Sequence, residues 1–193
     1  MGELFDLAGK VAIITGAGDK AFCAGNDLHD FLGSGGVSPA GPIMQFLHAL
    51  ARLEAPLVAA VQGRAVGVGA TLLLHCDLVA AAPDAQLIMP FVSLGLPPEA
   101  GSSQLLPALV GHRVAAEMVL LGRPVGAERA LQLGLVNLVD EDPLGAARAL
   151  AQGLAESGAQ VLVNSRKPAD VDAAVARLQA LGLDASGAAF DVA

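Results

Sequence analysis

The sequence predicts an α/β protein. Three observations carry that prediction. Aliphatic, β-branched runs alternate with helix-spaced apolar residues along the whole chain. The runs at residues 11–15 and 57–61 each lead into a glycine-bearing turn. Hydrophobic residues make up 54% of the 193 positions, enough to cover strands on both faces within one domain's length of chain.

Taken in order, VAIIT (11–15) is a buried strand ended by Gly16, followed by a glycine-rich loop to Gly25 and a short helix from near Asp27. Residues 33–42 have turn composition. Ile43, Phe46, Leu47, Leu50 and Leu53 keep helical spacing until Pro56. Residues 57–61 read as a second buried strand, 63–69 as another glycine turn and 70–75 as a helix. Short strands at 78–81 and 86–89 precede the Pro97-Pro98 turn. Helices are expected over 102–109, 113–121 and 127–133, then a strand at 136–139. After Glu141-Asp142-Pro143 the texture changes to an alanine-rich helix (144–157) and a strand (160–164). A helix with Val171, Ala174, Val175, Leu178 and Leu181 on one face follows, and a last strand lies near 188–192. This tail has the size of a strand–helix–strand unit.

Composition excludes several classes of function. Eleven Lys plus Arg against nineteen Asp plus Glu give a net charge of −8, which argues against a nucleic-acid partner. No apolar run approaches the ~20 residues of a membrane helix, and Glu3 and Asp6 stand where a leader would be basic. The expectation is a cytoplasmic protein with no membrane partner. Cys23 and Cys76 form neither a disulfide framework nor a zinc spacing, and read as small buried apolar residues. His29, His48 and His112 show no ligand spacing, and His75, after an apolar helix face, reads as a hydrogen-bonded core histidine. Neither a metal nor a cofactor is expected.

Four blocks in consistent order carry a resemblance: AFCAGNDLHDF (21–31), APLVAAVQGRAVGVGATLLLHCDLVAAA (55–82), PFVSLGLPPEAGSSQLLPALVG (90–111) and GAERALQLGLVNLV (126–139). Together they resemble the crotonase (enoyl-CoA hydratase/isomerase) superfamily over residues 16–142. The ends, MGELFDLAGKVAIITG (1–16) and GLAESGAQVLVNSRKPADVDAAVARLQALGLDASGAAFDV (153–192), are similar to the start of a short-chain dehydrogenase/reductase. The chain therefore reads as a chimera of natural, artefactual or engineered origin. On that reading the fold is a partial crotonase-like ββα core (17–142) with an appended Rossmann-like strand–helix–strand tail (143–193), and residues 1–16 supply a dehydrogenase-like first strand shared with the core. Strand 11–15 should pair with 57–61 on one side and with 160–164 on the other.

The dehydrogenase resemblance implies little activity. Its TGxxxGxG turn begins with Thr15 and Gly16, but Lys20 and Phe22 occupy the later glycine positions and would obstruct a pyrophosphate. Its catalytic Tyr-x-x-x-Lys is absent, because the chain has no Tyr. Arg166 and Asp191 match positions that read a 2′-phosphate and an adenine; each also reads as an ordinary loop or strand-end charge. Lys20 reads equally as a CoA-phosphate contact or a solvated lysine.

The crotonase resemblance implies more. That family holds a CoA thioester so that its carbonyl oxygen accepts two backbone N–H bonds, which stabilise an enolate. The matching donors are the amides of Asn26, after Ala24-Gly25, and of Val68, which follows Gly67 and opens a helix. Ala24, Gly25, Asp27, Gly67 and Thr71 are the matching substrate-binding positions; the glycines also read as plain turn residues. The two glutamates of hydratases fall on Thr71 and Phe91, neither of which is an acid or base, so water addition is not expected. Glu99, in LGLPPEAGSS, coincides with the glutamate of peroxisomal-type Δ3,Δ2-enoyl-CoA isomerases. GNDL (25–28) and Thr71-Leu72-Leu73 resemble that branch as well. Glu99 also reads as a carboxylate capping the helix near Gly101-Ser102; the family match selects catalysis. Asp77 reads as structural. The expected activity is isomerisation, with the proton passing from α- to γ-carbon and no cofactor beyond the CoA of the substrate. The foreign ends should impair it. The alternatives are a hydratase-like enzyme, an NADP-binding dehydrogenase remnant and a non-functional fusion. The partner is an acyl-CoA thioester; a homo-oligomer is left open.

Overall fold

The computed structural model describes residues 10–15, 21–25, 41–53, 55–156, 160–165, 168–180, 182 and 184–189. The strands are β1 (Lys10–Thr15), β2 (Ala21–Cys23), β3 (Leu57–Val61), β4 (Arg64–Val66), β5 (Leu78–Ala81), β6 (Gln86–Ile88), β7 (Val125–Gly126), β8 (Leu138–Val139), β9 (Gln160–Ser165) and β10 (Ala185–Ala189). The helices are α1 (Pro42–Ala51), α2 (Val68–Leu72), α3 (Ser102–Val110), α4 (His112–Leu121), α5 (Ala127–Gln132), α6 (Pro143–Glu156) and α7 (Pro168–Ala180). Single 3-10 turns stand at Leu73–His75 and Val92–Leu94.

Six strands form one sheet in the order β10-β9-β1-β3-β5-β8, with every pairing parallel. The two-sided pairing expected of the first strand is present: Ile13 lies opposite Val58 on one side and Val163 on the other. A parallel sheet buries both faces, and β3 shows it, all five residues being buried. Leu57, Ala59 and Val61 join the larger core with Leu72, Leu87 and Leu106. Val58 and Ala60 join a smaller one with Ala80, Ala147, Ala151 and Ala185. Ala147 and Ala151 are one helical turn apart on α6 and fully buried, so small residues let this helix lie close against the sheet.

A second, four-stranded sheet has the order β2-β4-β6-β7, parallel except for the antiparallel β6–β7 pair. It corrects the reading of 16–25 and 63–69 as loops, since β2 and β4 lie within them. Strands of three residues take their character from the pairing, not from their own composition. Two other strand boundaries move by two residues or more. Residues 136–137 are not strand: Asn137 turns its side chain back to β5, leaving β8 only two residues. The last described strand, Ala185–Ala189, begins ahead of the one expected near 188–192, and residues 190–192 lie outside the described residues. Gly182, at φ 78°, follows α7 with its amide on Gln179 O at 2.9 Å, and Ala185 is already buried and paired with Val161. The helix expected near Asp27 and most of the 33–42 turn lie outside the described residues. Among the described residues no helix is long and apolar enough to cross a membrane.

Candidate active site

The site is built around the junction of β4 and α2. Gly67 turns the chain there with φ 55° and ψ −117°, a backbone that a side chain would strain. Its amide donates to Ile88 O at 2.9 Å, and its carbonyl accepts from the Ala70 and Thr71 amides, both at 3.0 Å. The turn is thus tied to β6 on one side and to its own helix on the other. Val68, 3% exposed, opens α2, and an N–H in the first turn of a helix has no intrahelical acceptor. It carries a share of the helix's positive end.

The end of β2 is pressed against this turn. A Cβ on Gly69 would fall 2.7 Å from Cys23 Cβ and 2.8 Å from Cys23 O, so only hydrogen fits there. A Cβ on Gly25 would stand 3.1 Å from Val66 O. Ala24 and Gly25 therefore lie beside the Val66-to-Gly69 segment, Ala24 exposed and Gly25 half-buried. Asn26 and Asp27 lie outside the described residues.

Glu99 reaches the same turn from another loop. A Cβ on Gly67 would lie 4.0 Å from Glu99 Oε1, which sets the carboxylate beside the start of α2. Burial pushes that carboxyl above the usual range. The capping alternative fails on geometry. α3 has Gly101 as its N-cap and no side-chain cap. The backbone carbonyl of Glu99 instead accepts from Ser102 N at 2.9 Å and from Ser102 Oγ at 2.6 Å. The next residue, Ala100, sits at φ 51°, and its carbonyl meets His75 Nε2 at 2.8 Å.

Other sequence-derived positions fall into place around these. Thr71 is fully buried, and its hydroxyl donates to Val68 O at 3.4 Å, an arrangement that braces α2 rather than facing an open groove. Phe91 is 3% exposed. Asp77 accepts from Leu57 N at 2.8 Å and returns its own amide to Leu57 O at 2.9 Å, the structural role expected of it. Cys23 is buried, and Cys76 lies against Leu72 O at 3.6 Å, its thiol pushed up by burial and by Asp77. His75 is hydrogen-bonded as expected, but its partner, 25 positions away, left no signal in the spacing. Lys20, His29, Arg166 and Asp191 lie outside the described residues.

The described residues thus set a half-buried carboxylate beside the turn that opens a helix, on a largely parallel α/β core. Comparison with known families makes this particular: the chain belongs to the enoyl-CoA hydratase/isomerase family, whose sequence profile matches residues 6–186. The match runs into both end segments that read as dehydrogenase-like. The chain is 40% identical over 159 residues to 1,2-epoxyphenylacetyl-CoA isomerase of Escherichia coli, with 76% of this chain and 59% of the relative covered. It is 40% identical over 174 residues to carnitinyl-CoA dehydratase of the same species, covering 81% and 64%. A probable enoyl-CoA hydratase of Mycobacterium tuberculosis is 40% identical over 158 residues, covering 80% and 61%. Among solved structures, an enoyl-CoA hydratase/isomerase from Pseudoalteromonas atlantica superposes with a TM-score of 0.71 at 37% identity, covering 90% of this chain and 65% of its own. A putative enoyl-CoA hydratase/carnithine racemase from Magnetospirillum magneticum gives 0.70 at 44% identity, covering 80% and 66%. The chain spans about three fifths of the length of the curated relatives it matches.

Proposed function

We propose that this chain binds an acyl-CoA thioester and carries the catalytic elements of an enoyl-CoA isomerase. The observation that carries the proposal is the half-buried Glu99 carboxylate beside Gly67, next to the first amides of α2. In a 3-enoyl-CoA, Glu99 removes a proton from the α-carbon. The electron pair moves onto the thioester oxygen, where the Val68 amide, joined by that of Asn26, receives the charge. The same carboxyl then returns its proton to the γ-carbon, leaving the 2-enoyl-CoA. One group serves both transfers because a raised carboxyl pKa narrows the gap to the carbon acid. Hydration has less support, even though relatives are named hydratases and dehydratases. The two positions that would supply its acid and base hold Thr71 and Phe91, both buried.

The test is conversion of a 3-enoyl-CoA to the conjugated 2-enoyl-CoA, followed by ultraviolet absorbance, in the full chain and in Glu99→Gln. Loss of at least ~100-fold in kcat with CoA binding retained is expected. Turnover that survives Glu99→Gln, or brisk hydration of a 2-enoyl-CoA, would overturn the assignment. For the ends of the chain we propose the chimeric reading. It is supported by β9, α7 and β10 adding as a parallel strand–helix–strand unit outside β1. With Lys20 and Phe22 at the glycine positions of the dinucleotide turn, NADP should give no thermal shift, whereas acyl-CoA at 100 times its Kd should add about 2.7 kcal/mol.

A further inference from the structure

We propose that His75 is a positioning residue for Glu99, acting through the carbonyl of Ala100; this rests on the reading of Glu99 as the base. His75 ends the 3-10 turn that prolongs α2, and its Nε2 lies 2.8 Å from Ala100 O. A carbonyl accepts only, so Nε2 carries the hydrogen and His75 donates, as a neutral ring or as an imidazolium. The bond therefore does not depend on the charge of the ring.

What it holds is an unfavourable piece of backbone. Ala100, at φ 51°, is the one non-glycine residue at positive φ among the described residues. Such a conformation persists only where the surroundings enforce it. Two clamps do so here. Ser102 holds the Glu99 carbonyl from α3, through its amide and its hydroxyl, and His75 holds the Ala100 carbonyl from α2's extension. No titratable side chain stands on α3, so His75 is the titratable group facing the loop from these two elements.

The consequence is geometric. One continuous stretch, Val68 to His75, carries the oxyanion donor at its start and the clamp on the base loop at its end. The base loop is then tied, through Ala100, to the same stretch that presents the donor, which favours keeping the two within a tolerance of about 0.5 Å.

The experiment is a 13C NMR titration of the Glu99 carboxyl in the full chain, as wild type, His75→Leu and His75→Gln. Leu fills the volume without a donor; Gln brings an amide N–H close to the place of Nε2. Glu99 should titrate above the ordinary range in the wild type and in His75→Gln. In His75→Leu it should fall back toward the ordinary range, because a released loop admits water to the carboxylate. Turnover of 3-enoyl-CoA should show kcat down about 10-fold in His75→Leu with KM unchanged, and restored in His75→Gln. Identical Glu99 titration in all three proteins overturns the proposal. So does a folded His75→Gln that has lost the wild-type shift, a comparison that stands even where His75→Leu fails to fold. Retained turnover in Glu99→Gln removes the base assignment alone, and leaves the clamp to be decided by the titration.

Discussion

Glu99 is a carboxyl held where water is scarce, and that has a thermodynamic side as well as a chemical one. Its folded-state pKa is raised by burial, so the folded chain binds the proton more tightly than the unfolded chain does. Below the unfolded value, about 4.3, both states are protonated and nothing is lost. As the pH rises through that value the cost appears, and it is complete above the folded pKa. Glu99→Gln should therefore raise the urea midpoint at pH 7 and lose that advantage below about pH 4. An advantage of equal size at both pH values would place its origin elsewhere. Gly69 makes a second prediction at this scale. The atoms its missing side chain would meet are Cys23 Cβ and Cys23 O, which cannot rotate away, so Gly69→Ala should cost about 1–3 kcal/mol in urea unfolding. It should also drive the end of β2 from the Val68 turn and raise KM for an acyl-CoA.

Among the elements, β8 is one of the two shortest strands. It has two residues, and its attachment to β5 relies on Asn137, whose amide donates to Val79 O at 2.8 Å while its Oδ1 accepts from Val79 N at 2.7 Å. Asn137→Ala leaves the Val79 N–H without that acceptor, at a cost of about 1–3 kcal/mol. Hydrogen exchange at Val79 should accelerate accordingly, and much less in Asn137→Asp, which keeps an oxygen. The same element shows what a sequence can carry. The strands at Leu57–Val61 and Leu78–Ala81 and the helix at Ser102–Val110 were legible because each holds an aliphatic run or helical spacing long enough to show a period. β2, β4 and β7, of two or three residues, show no period; neighbouring strands define them. β10, ASGAA, has no β-branched residue, and its register follows from β9. In the site, Glu99 and the Gly67-Val68 pair were legible through motifs, whereas the His75–Ala100 bond joins distant residues with no pattern between them.

For the molecule as a whole, the telling feature is where β1 sits. It is the first described strand, yet it lies inside the sheet, with β3 on one side and β9 on the other. Removing residues 157–193 would strip away β9 and β10 and leave the backbone groups of β1 bare along one edge. An unpaired parallel edge is a template for another chain, so the shortened protein should run as associated species in size-exclusion chromatography. A shortened chain that stays monomeric and keeps the β1 amides protected would show that the edge is covered by something other than β9.

The sheet order also dictates a timetable. During synthesis β3 is available soon after β1, while β9, the second neighbour of β1, is made much later. Closing so long a stretch costs little extra entropy, since that cost grows only with the logarithm of length. It is slow, however, because pairings between distant residues are the ones that limit folding rates. A nascent chain thus holds β1 paired on one side only until β9 has been made, and a strand made late completes one made early.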